Sequence, residues 1–212
     1  MTEFPSPRPA FRAEHRVVYR NPSEFAAWPF NNGLWKTAQG HLLVGFLKNR
    51  CAYETPTDCS HRRSIHALGA RLVVLRSEDG GASWDEGAAQ TLAHHGPLSD
   101  RLLGASGSAE TYDGQPALDP RNPDILLASG SVPDPWGQDS RAWIRLSADG
   151  GRSWRDPILV PLCGFKWLQG RPATAVRPDG TWLLCLTANR PDGTLGRAVA
   201  FASADGGRNW TF

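Results

Sequence analysis

Short apolar runs, separated by polar turns, recur along this chain of 212 residues. The runs are rich in Leu, Val, Ile and Ala and have the length of buried β-strands. They come in pairs, at residues 41–46 and 71–76, at 125–129 and 142–147, and at 181–186 and 198–203. A weaker version of the pattern places flanking strands near 30–36, 84–92, 158–160 and 171–176. The pattern therefore predicts an all-β chain of antiparallel strands.

One motif follows the second run of each pair. It has the form Ser-x-Asp-Gly-Gly-x-Ser/Asn-Trp and occupies residues 77–84, 147–154 and 203–210. The motif recurs after 70 residues and then after 56, counted between its Asp residues. Such spacing is typical of repeated structural units. Its defining residues are Ser77, Asp79, Gly81, Trp84, Ser147, Asp149, Gly151, Trp154, Ser203, Asp205, Gly207 and Trp210.

The residue types of the motif predict a tight turn between two strands. Gly-Gly supplies positive φ angles, and the Asp carboxylate accepts hydrogen bonds from backbone N–H groups of its own turn. The Ser at the seventh position adds a local hydrogen bond. The Trp offers a large face for packing. We therefore interpret the Asp residues as turn carboxylates and the Trp residues as core, both with structural roles.

The repeated motif resembles the Asp-box of sialidases and related β-propellers. Asn209 stands where the family usually has Ser or Thr. The resemblance implies an Asp-box β-propeller with four-stranded antiparallel blades. About three blades are present, near residues 27–92, 110–160 and 170–212, within a propeller of six. Residues 1–26 are expected to be an N-terminal tail with a candidate closing strand at 14–20. Further blades, or a second copy, are expected to close the propeller.

Composition narrows the classes of function. Hydrophobic residues make up 40% of the chain and charged residues 21%, with a net charge of +2. The Arg residues are scattered, so no nucleic-acid surface is predicted. No apolar run is long enough to span a membrane. The first ten residues lack the hydrophobic segment of a signal peptide, so a cytoplasmic location is expected.

The four cysteines show no disulfide framework. Cys51 and Cys59 could meet in one loop near His61 and His66, but this spacing fits no standard zinc pattern. Free thiols are therefore expected, and neither a metal nor a cofactor is predicted. The loop after residue 47 is long and polar, which is typical of functional loops.

The resemblance also implies where a catalytic site lies. Sialidases bind the substrate carboxylate with three Arg residues and use a Tyr–Glu pair with an Asp acid/base. The family motif Phe-x-x-x-Arg matches Phe46 to Arg50, and Asp58 in the following loop is the candidate acid/base. The first Arg of the family is absent, because Ala27 and Trp28 precede Pro29 at that place. The remaining catalytic residues of the family would lie in further blades.

Other polar residues are candidates for substrate binding. Asn31 and Asn32 in an innermost strand could bind sugar hydroxyls, although a bulge at Gly33 is the alternative. Arg171 and Arg141 begin strands and could reach the same basin. Further candidates by position alone are Glu110, Tyr112 and Asp113 before an expected inner strand, and Trp136 and Trp167 in loops.

These observations predict a sialidase-like glycoside hydrolase that acts on terminal sialic acid or a related glycan. Whether the chain is catalytic stays open at this point. The alternative is a non-catalytic Asp-box propeller that binds a glycan or a protein. A third interpretation is a glycosidase of another specificity, in which Asp58 would act with a second carboxylate, since a fold does not fix a function.

Overall fold

The computed structural model describes residues 13–27, 33–60, 69–94, 109–132, 140–189 and 196–212. These residues form eleven strands and a short 3₁₀ helix at Pro56–Cys59, without any α-helix. The strands are β1 (Glu24–Ala27), β2 (Leu34–Lys36), β3 (Leu42–Arg50), β4 (Arg71–Ser77), β5 (Gln90–His94), β6 (Leu126–Val132), β7 (Arg141–Ser147), β8 (Ile158–Leu159), β9 (Leu168–Val176), β10 (Trp182–Ala188) and β11 (Arg197–Ser203).

The strands form three antiparallel sheets. In the first sheet β3 is central, with β1 and β2 on one side and β4 followed by β5 on the other. The second sheet has the order β6-β7-β8, and the third has the order β9-β10-β11. The paired apolar runs of the sequence are the strand pairs β3–β4, β6–β7 and β10–β11. The prediction of an all-β, antiparallel chain is therefore confirmed.

Two short strands, β1 and β2, pair with the same edge of β3 in the first sheet. Both β1 and β2 pair with β3, from Glu24 opposite Arg50 to Lys36 opposite Leu42. Six residues, 28–33, stand between β1 and β2, but only Gly45 and Phe46 stand between their partners on β3. The strand expected at residues 30–36 is thus β2, and the first part of that range lies outside the described residues.

The short strand expected at residues 14–20 is not formed. Strand β1 begins instead at Glu24, after a turn in which Asn21 Oδ1 accepts the N–H of Ser23 over 2.9 Å. Val18 and Tyr19 pack on the outer face of the first sheet rather than extending it. Whether residues 14–20 pair with a further blade as a closing strand stays a prediction.

The second sheet departs from the repeated plan. Residues 109–125 contain no strand, so the inner strand expected after Asp113 is not formed there. The N–H of Tyr112 donates to the carbonyl of Arg208 over 3.0 Å, and that of Leu118 donates to Gly206 over 3.0 Å. This segment therefore packs on the turn of the third sheet, and its backbone hydrogen bonds are used there.

The innermost strand of the third sheet carries a bulge. The pairing of β9 with β10 shifts between Cys185 and Leu186, which pair with Ala173 and Gly170. Arg171 and Pro172 are the two extra residues. Proline lacks the N–H that a strand ladder needs, which is why it occurs at bulges.

Apolar side chains pack between the sheets. The larger core joins the second and third sheets and includes fully buried Ile144, Leu146, Leu184 and Phe201. Burial of each such side chain contributes about 2 kcal/mol. A second core joins the first and second sheets around Leu43, Leu72, Val74 and Trp143.

The repeated motif forms the same turn in each sheet. In the first turn, the Ser77 hydroxyl donates to Asp79 Oδ1 over 2.7 Å and accepts the N–H of Gly81 over 2.7 Å. Asp79 also accepts the N–H and the hydroxyl of Ser83 over 2.9 and 2.6 Å. Gly80 and Gly81 have φ angles of 71° and 96°. The Ser, Asp and Gly residues of this motif therefore make the hydrogen bonds and the positive φ angles of a tight turn.

The second and third turns repeat these contacts with one substitution. In the second, Asp149 accepts the N–H and the hydroxyl of Ser153 over 2.9 and 2.6 Å. In the third, Asn209 replaces the Ser, and its side-chain amide donates to Asp205 Oδ2 over 2.7 Å. The amide therefore preserves the bond that the hydroxyl makes in the other turns.

The Trp residues of the three turns differ in burial. Trp210 is fully buried and packs on Trp182, with ring centroids 5.9 Å apart. Trp84 and Trp154 are half-buried at the edges of the cores. The prediction that all three are core residues holds for Trp210, while the other two cover core edges.

Candidate functional site

Arg50 and Arg141 lie at the ends of their sheets opposite the repeated turns. The turns follow the last residues of β4, β7 and β11, whereas β3 ends at Arg50 and β7 begins at Arg141 at the other ends of their strands. In an antiparallel sheet, the end of one strand lies beside the beginning of its neighbour. Residues from distant parts of the sequence therefore share the end of a sheet opposite its repeated turn.

Arg50 and the segment carrying Asp58 meet at the end of β3. Arg50 is exposed. The buried thiol of Cys51, the next residue, lies 3.6 Å from the backbone carbonyl of Asp58, so the 3₁₀ helix packs on the strand end. The structure thus brings together the neighbourhoods of the two residues that the sequence singled out as catalytic.

Asp58 is half-buried and stabilises its own short helix. Its Oδ2 atom accepts the N–H of Thr55 over 2.8 Å, which is the return contact of a capping box. Pro56 at the start of the helix suits the fixed φ of that position. The local sequence Thr-Pro-Thr-Asp therefore explains why a turn forms here and which way the carboxylate is held.

A cluster of charged residues lies next to Arg50 on β1, β3 and β4. Glu24, whose Cα pairs with Arg50, accepts hydrogen bonds from Lys48 Nζ over 2.9 Å and from Arg71 Nη2 over 3.4 Å. The Tyr19 hydroxyl also donates to Glu24, and Lys48 donates to Tyr19 over 3.0 Å. We call Tyr19, Glu24, Lys48 and Arg71 the Glu24 cluster.

Contacts within the Glu24 cluster shift the pKa values of Glu24 and Lys48. Burial alone would raise the pKa of Glu24, but the bonds from Tyr19 and Lys48 outweigh burial and lower it. Burial alone would lower the pKa of Lys48, and its bonds to Tyr19 and Glu24 raise it instead. Both groups are therefore held in their charged forms at neutral pH. The cluster carries more positive than negative charge.

Sequence reasoning missed the Glu24 cluster. The signal was a strand that ends in Lys48 and Arg50, two cations on the same face. Their acidic neighbour could be found only from the pairing of β1 with β3, which places Glu24 opposite Arg50. That register joins residues 26 positions apart, between Glu24 and Arg50, and no local pattern encodes it.

A second polar group lies between the second and third sheets. Asn189 is fully buried, and its Oδ1 accepts the N–H groups of Lys166 and Trp167, both over 3.0 Å. Its Nδ2 atom has no hydrogen-bond partner in the described structure. Ser140 lies against the same segment through its carbonyl, which accepts the N–H of Leu168 over 2.9 Å. Trp167 is half-buried beside this group.

Arg141 and Tyr112 have other roles than those considered from the sequence. Arg141 forms an ion pair with Glu110 over 2.5 Å, so its charge is already balanced. Tyr112 is buried, and its hydroxyl donates towards the carbonyls of Asp156 and Ile144 over 2.8 and 3.2 Å. Burial raises the pKa of Tyr112 far above its usual range. Tyr112 is therefore a core residue.

Several candidates are described only in part. Arg171 belongs to the bulge of β9, and the structure describes its backbone alone. The residues that lie outside the described ranges are Trp28, Pro29, Asn31, Asn32, His61, His66 and Trp136.

Within the described ranges, no group of three or more His, Cys, Asp or Glu side chains could hold a metal ion. All four cysteines are free thiols. Among the helices of the described ranges, none is long and apolar enough to cross a membrane.

No protein-family model matches the sequence, and no curated protein matches it significantly. Solved structures do match. The α-L-arabinofuranosidase Arb93A from Fusarium graminearum, in complex with an iminosugar inhibitor, is 15% identical with a TM-score of 0.50. The match covers 93% of this chain and 50% of that chain. An α-L-arabinanase from Penicillium chrysogenum with arabinobiose is 15% identical with a TM-score of 0.48, over 91% and 49% of the two chains.

The chain thus spans about half the length of the solved structures it matches. At this identity the first of these likenesses shows the fold. The chain has a β-propeller-like, all-β architecture of a kind that also occurs in a glycoside hydrolase. The assignment to the sialidase family stays a prediction.

Proposed function

We propose that this chain is part of a β-propeller glycoside hydrolase that acts on terminal sialic acid or a related glycan. The observation that carries the proposal is the packing of the Asp58 helix on the end of β3, beside exposed Arg50 and opposite the repeated turns. A carboxyl group and a free guanidinium at the ends of propeller strands suit acid catalysis and substrate binding.

Each of the two residues has a proposed role in hydrolysis. Asp58 acts as the general acid and donates a proton to the glycosidic oxygen. Arg50 binds a carboxylate or hydroxyl oxygens of the substrate, because its planar guanidinium offers paired donors. Hydrolysis needs a second group, either a nucleophile or a base. We propose that further blades of the whole propeller supply it.

Arg171, Asn31 and Asn32 have a proposed role in substrate binding. The segment between β1 and β2 joins residues that pair on either side of Gly45 and Phe46, and the bulge of β9 lies opposite Cys185 and Leu186, at the same distance from the repeated turn. The equivalence follows from the strand pairs, because β3 and β10 each begin opposite the Ser of their own turn. Extra residues at one level of two inner strands favour a shared function there.

The proposed closure of the propeller is supported by one face of the third sheet. Cys185, Ala198 and Ala200 are exposed on this face. The corresponding residues of the second sheet, among them Ile144, are buried against the third sheet. We propose that a further blade, from a longer chain or from a second copy, packs on this face.

The proposal is tested by hydrolysis of fluorogenic glycosides by the closed propeller, with the further blades or the second copy present. The panel contains an α-sialoside, an α-L-arabinofuranoside and neutral hexopyranosides. Asp58→Asn retains an oxygen for the Thr55 N–H but cannot donate a carboxyl proton, so we expect kcat to fall about 100-fold or more. Glu78→Gln, at an exposed position of the first repeated turn, is the control and should keep full activity.

The panel separates the three interpretations. Turnover of the sialoside alone supports the sialidase. If another glycoside is hydrolysed and Asp58→Asn abolishes this turnover, the protein is a glycosidase but not a sialidase. Turnover that Asp58→Asn leaves intact shows that Asp58 is not the acid.

A non-catalytic scaffold that binds a glycan or a protein is the second candidate. The observation that favours it is the capping bond of Asp58, which gives the carboxylate a structural use without catalysis. In that case the folded protein binds glycans in an array and hydrolyses none of the panel.

A further inference from the structure

Two cysteines lie at the two ends of the loop that carries Asp58. Cys51 follows the last residue of β3 and is buried. Cys59 is the last residue of the 3₁₀ helix and is half-buried. Seven residues, 52–58, separate them in the sequence. The structure must therefore decide whether they meet.

The structure brings the two cysteines side by side. Cys51 Sγ lies 3.6 Å from the carbonyl oxygen of Asp58, the residue bonded to Cys59. The Cys51 thiol therefore lies against the backbone that leads directly into Cys59. At this separation, rotation about each Cα–Cβ bond can bring the two sulfurs together. No strand has to move, because Cys59 belongs to a surface turn.

We propose that Cys51 and Cys59 form a reversible redox site, which a small disulfide such as oxidised glutathione converts into an intramolecular disulfide. The thiolate of Cys59 attacks the small disulfide, so that a mixed disulfide forms and one small thiol leaves. The thiolate of Cys51 then attacks the Cys59 sulfur, and the second small thiol leaves. The two cysteines lose two electrons and two protons, and the small disulfide is reduced to two thiols.

The positions of the two cysteines fit this order. The half-buried Cys59 is open to a small oxidant, whereas the buried Cys51 is screened and can attack only a neighbour. Burial, with the nearby Cys51 thiol as a second cause, raises the pKa of the Cys59 thiol. Since the thiolate is the reactive form, the pair is expected to remain reduced until an oxidant is in excess.

The Cys51–Cys59 disulfide would link the Asp58 helix covalently to the end of β3. The helix is now held there by hydrogen bonds such as that between Cys51 and Asp58. A disulfide removes the open conformations of the loop and leaves one position for the Asp58 carboxylate relative to Arg50. The effect on catalysis rests on the proposed function, whereas formation of the bond does not.

The experiment uses the full chain with Cys163→Ser and Cys185→Ser, because these two exposed cysteines would otherwise react. The protein is equilibrated in glutathione buffers of increasing oxidised fraction, then quenched with an alkylating agent and examined by intact mass and peptide mapping. We expect one transition in which the number of alkylated thiols falls from two to zero. The oxidised protein should yield a bridged peptide that joins Cys51 to Cys59.

Two further variants keep the test decisive. Cys59→Ser and Cys51→Ser in the same background should give no bridged peptide, and circular dichroism checks that each is folded. Cys59→Ser changes a half-buried residue, so it serves if loss of the buried Cys51 thiol prevents folding. A protein that forms only glutathione adducts, or that stays fully alkylated across the series, overturns the proposal.

Glycoside hydrolysis of the reduced and the bridged protein separates the two proposals. If the bridge forms and changes turnover, the redox site regulates the Asp58 loop. If the bridge forms and neither state hydrolyses any glycoside, the redox site stands and the proposed function fails.

Discussion

The three sheets resemble one another at the end that carries the repeated turns, and they differ from one another at the opposite end. At one end, each sheet carries the same turn, with an Asp that accepts bonds from a Ser, from backbone N–H groups and from a Ser or Asn. At the opposite end, the first sheet carries the Glu24 cluster and the Asp58 helix. The second sheet carries the ion pair of Arg141 with Glu110, and the third carries buried Asn189.

This difference shows which end of the sheets is constrained in its residues and which end varies. A turn that supplies its own hydrogen bonds needs nothing from its surroundings, so the same residues serve in every sheet. Among the described residues, the opposite end shows no pattern common to the three sheets, as is expected of loops, which differ more than the strands they connect. We therefore regard the turn end as the part that specifies the fold and the opposite end as the part available for function.

The largest effect is expected from a change within the uniform turns. A Cβ at Gly206 would lie 2.5 Å from the backbone N and O atoms of Leu118, which cannot move cheaply, and φ is +73°. We expect Gly206→Ala to lower the free energy of unfolding by about 3 kcal/mol. Gly80 holds the same place in the first turn with nothing within 4 Å. Gly80→Ala should cost about 1 kcal/mol, from backbone strain alone. Equal losses in urea unfolding would show that the turns do not differ in their surroundings.

The next effect concerns the Glu24 cluster at the opposite end. Glu24→Gln leaves Lys48 and Arg71 without their carboxylate, and the side chains of Glu24 and Lys48 are both only 14% exposed. We expect the free energy of unfolding to fall by about 2 kcal/mol, less than for a fully buried pair. Glu78→Gln, at an exposed position of the first turn, is the control. A loss no greater than that of the control would mean that the cluster contributes no stability.

A smaller effect is expected for one turn carboxylate. Asp149→Ala removes the acceptor of the Ser147 hydroxyl and of the backbone and hydroxyl of Ser153. Water reaches part of this turn and replaces some of the bonds. We expect a loss of about 1 to 2 kcal/mol in urea unfolding. Asp113→Ala should be neutral, and a neutral Asp149→Ala would contradict the role given to the turns.

The smallest effect is the pH dependence of the same turns. Hydrogen bonds from Ser83 and Ser77 lower the pKa of Asp79, and those from Ser153 and Ser147 lower that of Asp149 against the opposing effect of burial. The folded state therefore binds fewer protons than the unfolded state. The resulting stability is complete above the ordinary Asp pKa of about 3.9 and is lost as the pH falls below it.

Urea unfolding between pH 5.5 and 2.5, roughly the window on either side of that pKa, measures this dependence. We expect the midpoint to fall on acidification and to fall less steeply in Asp149→Asn. A variant that follows the wild-type slope would rule out a contribution from this carboxylate.

Local features of the fold could be predicted from the sequence. The strand pairs and the turns could be found because their signals, an apolar run and the order Asp-Gly-Gly, lie within a few residues. The absence of the inner strand expected after Asp113 could not be foreseen, because Tyr112 and Leu118 donate their N–H groups to a turn that lies far along the chain. Val18 and Tyr19 pack on a face of the first sheet, and a closing role for residues 14–20 stays a prediction.

The candidate site was predictable only in part. Arg50 and Asp58 were found through a spacing and a long loop, which are sequence signals. The Glu24 cluster depends on the register of β1 on β3, and the contact of Cys51 with the Asp58 carbonyl depends on how the loop folds back. Neither leaves a pattern in the order of residues, because both join atoms that only the folded sheet brings together.

The division between the two ends is tested most directly by comparing Asp58→Asn with Asp149→Asn. Glycoside turnover per folded molecule and urea unfolding would be measured for both proteins. The account predicts that Asp58→Asn loses turnover and keeps wild-type stability, while Asp149→Asn loses stability and keeps turnover. Turnover that survives in Asp58→Asn, or that disappears in folded Asp149→Asn, would contradict the account.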